Sequence, residues 1–337
     1  MGYILSSQER PDSKFPRIRH KPGRHCASTG IRDLMEHHGL VWSEALCFGL
    51  GQGLGIWYMD FPNTSPSRIV HTRSADLEAR FFDSIGCPFD WEQSDDPVKA
   101  EIALRAVLDA GRPAIVQTDI FYLPYFNSGT HFPGHVVLVW GYDTLKRVFL
   151  VTDTERKDVL EVPFDKMRLA RHCKGVFFEI KGNLFAPEKI RHPENLPIII
   201  EKAIVENSRT ILQSADERCG RNALDKWQKE ITGWKNLEDW KWAARFVYQT
   251  IEKRGTGGAG FRLMYTDFLV EAEKCIPRAA SLGLSGLMGQ AAHAWQRTAA
   301  ALKTVSEQSS PDFKDCSHEI TSLYRAESEY HRTAVHL

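Results

Sequence analysis

Two apolar runs set the first limits on this chain. His135–Asp143 reads HVVLVWGYD and Arg147–Asp153 reads RVFLVTD, and Asp143-Thr144-Leu145-Lys146 links them. β-Branched and aromatic residues dominate both runs, as in buried strands. That link reads as a hairpin turn. The two strands therefore pair antiparallel, and the start of the first lies beside the end of the second. PAIVQTDI (Pro113–Ile120) and GVFFEI (Gly175–Ile180) are two more strand-like runs. Asp96-Pro97 opens a helical segment through Ala110, with Pro97 at N1 and Gly111 at C′. With few long helices between the strands, an antiparallel α+β sheet is expected rather than a doubly wound parallel one.

The character changes near NLFAPEKIRHPENLP (residues 183–197), a polar, proline-bearing linker. Beyond it, segments near 198–214, 222–253, 264–280, 285–305 and 312–331 are rich in Ala, Leu, Glu and Lys, and strand signals vanish. The expected organisation is an α+β domain over 1–185 and a helical domain over 186–337.

Lys+Arg and Asp+Glu both count 43, so no bulk field points to nucleic acid or an anionic membrane. The first 23 residues hold no long apolar core, and no run approaches the ~18 residues of a membrane span. Gly2 and Ser6 echo a myristoylation motif too weakly to carry that reading. The seven cysteines are scattered without a CxxC pair, which argues against a disulfide framework and a zinc site. The expectation is a cytoplasmic protein with reduced thiols, no metal and no cofactor.

In GRHCASTGIRDLMEHHG (Gly23–Gly39), Pro22 and Gly23 break the chain, Ile31, Leu34 and Met35 recur at helical spacing, and Gly39 suits C′. Cys26 thus falls at a helix N-terminus, where unpaired N–H groups and the helix dipole favour a thiolate. The plainer reading is a small buried hydrophobe. A cysteine nucleophile needs a base, and the base needs an orienting group. The hairpin brings His135 and Asp153 to one sheet edge, whereas Asp143, a rival for the third role, lies at the far end of its strand. Read singly, His135 is a strand-capping histidine and Asp153 a turn aspartate. Read with Cys26, they give a nucleophile, base and acid in papain-like chain order.

Asp119, Tyr122, Tyr125 and His131 could line the mouth of such a site, with Asp119 suited to a cationic amine; an aromatic loop over the core is the alternative. The glycines of FGLGQGLGIWY follow a helix-like SEALCFGL with Ser43 as N-cap, not a strand, so a dinucleotide site is rejected. They permit tight packing or wall a channel. EKRGTGGAGFRLMYTDFL (Glu252–Leu269), flanked by Arg254 and Arg262, reads as a helix–helix turn, or as an anion site for a phosphopantetheine phosphate. Trp227, Trp234, Trp240 and Trp242 suit core packing, and a tryptophan-rich helical domain is compatible with a homodimer.

Together HCASTGIRDLMEHHG, SEALCFGLGQGLGIWY, TDIFYLPY, GHVVLVWGYD and RGTGGAGFRLMYTDFL resemble the butirosin biosynthesis protein H family over most of the chain. The N-terminal part is similar, more distantly, to bacteriocin leader peptidases of papain-like fold. The resemblance implies an acyltransferase. It would take an acyl group from an acyl-carrier-protein thioester, on phosphopantetheine, through a cysteine, onto a small amine acceptor. By position, Cys26 matches the nucleophile, His135 the base and Asp153 the orienting acid. Papain-like peptidases place a glutamine shortly before the cysteine. Here the nearest upstream one is Gln8, with His20 near that spot, so the Cys26 N–H is the expected oxyanion donor, with His20 or His25 as helpers. A cysteine peptidase or amidase, or a non-catalytic binding module, are the alternatives.

Overall fold

The computed structural model describes residues 15–173 and 179–337. The chain begins with α1 (Cys26–His37), α2 (Glu44–Leu50), β1 (Leu54–Asp60), β2 (Arg68–Arg73) and α3 (Leu77–Ser84). Next come α4 (Pro97–Asp109), β3 (Ala114–Thr118), β4 (His135–Asp143), β5 (Val148–Thr152), β6 (Leu160–Pro163), α5 (Phe164–Ala170) and β7 (Leu184–Phe185). Helices then take over: α6 (Leu196–Leu212), α7 (Gly220–Glu230), α8 (Trp240–Glu252), α9 (Arg262–Cys275), α10 (Pro277–Ser281), α11 (Leu284–Glu307) and α12 (Lys314–Ala334). The protein is α+β, with an antiparallel sheet and a helical C-terminal region. Among the described residues no helix is long and apolar enough to cross a membrane.

Local chemistry accounts for several boundaries. Asp96 caps α4 by accepting from the Val98 and Lys99 N–H groups, with Pro97 at N1. Ser43 caps α2 through the Leu46 N–H. The helix-rich segment expected near 264–280 breaks at Ile276, because Pro277 lacks the N–H a continuing helix needs. That expected over 222–253 divides into α7 and α8 through a 3₁₀ stretch containing Gly233. Four residues of the expected GVFFEI strand, 175–178, lie outside the described residues, as do Gly2, Ser6 and Gln8.

The residues form two compact units that do not follow one another along the chain. The first gathers residues through Pro22, Asp33–Leu40 and Asp90–Ile190. Its sheet runs β6-β5-β4-β3-β7, every neighbour antiparallel. Val137 and Val139 of β4, Phe149 and Val151 of β5 and Val116 of β3 pack on Leu104 and Leu108 of α4, with Phe164 and Met167 of α5 in the same core. The β4–β5 turn is held by Asp143, whose carboxylate accepts from the Leu145 and Lys146 N–H groups. In this unit His20 bridges Asp33 of α1 and the carbonyl oxygen of Arg156.

The second unit gathers Gly23–Arg32, Val41–Phe89 and Arg191–Leu337. Here the β1–β2 hairpin, absent from the sequence-based expectations, packs on α7 and α8, while α11 packs on α8, α9 and α12. Asn207 of α6 donates to the carbonyl oxygen of Leu54. Two glycines mark close approach. A Cβ on Gly55 would stand 2.3 Å from the Arg73 carbonyl oxygen, and one on Gly49 2.3 Å from the ring of Phe268. The Phe268 ring is fully buried on α9 and has nowhere to retreat. Gly49→Ala should therefore lower the unfolding free energy by about 1–2 kcal/mol, overpacking exceeding the helix-propensity gain. A denaturant midpoint unchanged or raised in this variant would contradict the close packing.

Candidate functional site

Cys26 is the first residue of α1 and belongs to the second unit. The segment before it is fixed by one carboxylate. Glu44, at the start of α2, accepts from the Arg24 and His25 N–H groups and from the hydroxyls of Ser28 and Thr29, at 2.9–3.0 Å. Of these, the His25 N–H is one of the backbone donors that a helix start leaves unpaired. The His25 Nε2 is 3.9 Å from the Cys26 sulfur, and the His25 ring stands edge-on to Phe261 and Phe48. The Ser28 hydroxyl contacts the His25 Nδ1 at 3.3 Å.

In the first unit, register brings a second cluster together. His135 opens β4 opposite Thr118 of β3, and Asp153 follows the last residue of β5. The His135 Nε2 lies 2.9 and 2.8 Å from the two oxygens of Asp153. Two further donors hold that carboxylate, the Tyr125 hydroxyl at 2.7 Å and the Thr154 hydroxyl at 2.7 Å. Burial would raise the Asp153 pKa, but His135 and the two hydroxyls outweigh it and hold the carboxyl below its ordinary value. Phe126 stands edge-on to the imidazole at 5.0 Å. With Nε2 donating to Asp153, Nδ1 is the nitrogen carrying the basic lone pair.

A third cluster adjoins the second. Asp119 follows β3, and its Oδ1 accepts from the Phe121 and Phe132 N–H groups. Its Oδ2 lies 2.6 Å from His131 Nδ1 and 2.9 Å from the Cys173 sulfur. His131 stacks on Phe121 and meets Tyr122 edge-on.

His135, Asp153 and Tyr125 converge, as do Asp119, His131 and Tyr122, while Cys26 stands at the start of α1. Several expectations need correction. Asp119 is fully buried and its oxygens are occupied internally, so it cannot meet an external amine. Tyr125 holds the carboxylate of Asp153 and is not simply a lining ring. Arg262 is fully buried against Glu327 and donates to the carbonyls of Thr72, Gly260 and Gly55. It clamps the fold and offers nothing to a phosphate. Both ring nitrogens of His20 are engaged by Asp33 and Arg156, which removes it as an oxyanion donor. Asp143 holds its turn and has no part in the site. Glu44, Thr154 and Cys173 went unread in the sequence. Only Glu44 carried a signal, as the acidic residue directly after an N-cap serine.

An antiparallel sheet with a carboxylate-held histidine at the start of its central strand, followed by a helical region, defines the class as α+β. Residues 25–154 match the family model described as Butirosin biosynthesis protein H, N-terminal, and residues 165–334 match a domain of unknown function, DUF4872. The chain belongs to this butirosin biosynthesis protein H-like family, whose name marks a biosynthetic role. A search of curated proteins returned no match.

Proposed function

We propose that the protein is a papain-like cysteine acyltransferase that carries an acyl group from a carrier-protein thioester, through Cys26, onto an amine. The observation that carries the reading is the His135–Asp153 pair, buried and held by two hydroxyls, in a family whose N-terminal model begins one residue before a helix-opening cysteine.

In this mechanism His135 Nδ1 takes the thiol proton of Cys26. The thiolate attacks the thioester carbonyl carbon and the positive end of α1 stabilises the oxyanion. Collapse breaks the carbon–sulfur bond to the carrier, whose thiolate takes the proton back from the imidazolium. The acyl group now sits on Cys26 as a thioester. An amine attacks it, His135 accepts the amine proton, and the amide leaves as the Cys26 thiolate is expelled. Asp153 keeps the proton on Nε2 throughout and stabilises the imidazolium. Thioester-to-amide transfer is downhill, so neither ATP nor a metal enters.

Intact-protein mass spectrometry with an acyl-carrier-protein thioester tests this. One acyl mass should appear, map to the Cys26 peptide and discharge on adding an amine. Normal turnover with Cys26 unmodified would overturn the acyl-enzyme, and discharge to free acid at the same rate without amine would make the protein a hydrolase.

A further inference from the structure

The third cluster has a chemistry that acyl transfer leaves unused. Asp119 Oδ2, His131 Nδ1 and the Cys173 sulfur all lie within 4.8 Å of one another. They come from three separate places, the end of β3, the loop before β4 and the segment after α5. A carboxylate oxygen, an imidazole nitrogen and a thiolate form a donor set suited to zinc and its neighbours, not to magnesium or calcium.

The surroundings fit a ligand set rather than a chance hydrogen bond. The carboxylate is pinned at Oδ1 by two backbone N–H groups, which leaves Oδ2 as its one directed oxygen. Asp119 is fully buried, Cys173 half-buried and His131 half-exposed, so an ion would have three protein ligands and one side toward solvent. Tetrahedral zinc separates such donor atoms by about 3.3–3.6 Å. The Asp119–His131 and Asp119–Cys173 distances of 2.6 and 2.9 Å would then open by less than about an ångström, a movement the exposed His131 ring can make.

We infer that Asp119, His131 and Cys173 form a three-ligand site for a zinc-class divalent cation, beside the strand position that pairs with His135. On binding, the sulfur–hydrogen bond of Cys173 breaks, a metal–sulfur bond forms, and the proton passes to solvent; no redox partner is required. The ion would tie the loop carrying Tyr122, Tyr125 and His131 to the segment after α5. It is separate from the acyl-transfer reading and stands or falls without it.

Cobalt(II) is the probe, titrated into the full chain after chelator treatment. Saturation at one equivalent is expected, with a thiolate-to-cobalt charge-transfer band in the near ultraviolet and tetrahedral bands in the visible, all bleached by zinc. Cys173→Ser should abolish the charge-transfer band, and His131→Ala should weaken binding about tenfold or more. Because His131 is exposed, that variant gives a reading even if Cys173→Ser folds poorly. Cys26→Ala should leave the spectrum intact. A band that survives Cys173→Ser, a band lost in Cys26→Ala, affinity unchanged in His131→Ala, or the lack of any saturable band in the wild-type protein would each overturn the site.

Discussion

Replacing Cys26 by alanine should cut amide formation from a carrier thioester by about 10⁴-fold or more, down to the uncatalysed aminolysis of the thioester. His135→Ala should fall nearly as far. The two residues act as a unit in the proposed mechanism, so the double variant should be little worse than either single one. Asp153→Asn should cost about 10²- to 10⁴-fold, because an amide in that place can stabilise the wrong imidazole tautomer and no longer balances the imidazolium charge. The adjacent histidine gives the sharpest contrast. His25 Nε2 stands 3.9 Å from the Cys26 sulfur, but its Nδ1 faces the hydroxyl of Ser28, whereas His135 is backed by a buried carboxylate. His25→Ala should therefore lose much less than His135→Ala. Carrier-thiol release and amide yield, followed together at saturating donor, separate these cases. A larger loss in His25→Ala would transfer the base role to that residue.

The meeting of His135 and Asp153 was legible because it follows from hairpin register alone. Once HVVLVWGYD and RVFLVTD pair antiparallel, the first residue of one run and the last of the other share an edge whatever surrounds them. The start of α1 at Cys26 and of α4 at Pro97 was legible for a similar reason: breakers, caps and helical spacing act within a few residues. Tyr125, Thr154 and Glu44 were not legible as partners. A hydroxyl or carboxylate in a loop carries no mark of the buried group it will reach, and Glu44 meets Arg24 and His25 only because α2 returns beside the segment before α1. Arg262 misled for the converse reason. Glycines beside an arginine suggest an anion site until the far helix supplies Glu327, 65 residues later. The β1–β2 hairpin escaped notice because its alternation, Ile56 and Tyr58 against Val70 and Thr72, is short and broken by FPNTSPS. Its burial depends on helices that arrive more than a hundred residues further on.

That distant clamp supports the largest stability effect. Glu327 of α12 accepts from Arg262 of α9 at 2.5 Å, from the Trp295 indole of α11, and lies 3.0 Å from His331. Arg262 also rests over the Trp295 ring at 4.7 Å. Burial alone would raise the Glu327 pKa, but the Arg262 charge and the His331 and Trp295 bonds outweigh it and pull the carboxyl down to about 2. Glu327→Gln leaves the arginine charge buried without its counter-ion, a change that typically costs about 3–5 kcal/mol. Removing both charges with Arg262→Met and Glu327→Leu should recover part of that loss. It cannot recover all, since the Thr72 and Gly260 carbonyls would lose the guanidinium that satisfies them. Because the folded carboxyl titrates below its ordinary value of 4.5, the stabilisation is fully present above about pH 4.5 and is lost as pH falls toward about 2. Urea unfolding of wild-type and Glu327→Gln protein at pH 7 and pH 3 checks both magnitude and sign. The gap between the two should be wide at pH 7 and narrower at pH 3. A gap that is small at pH 7, or that widens on acidification, would mean that the pair contributes little to holding α9, α11 and α12 together.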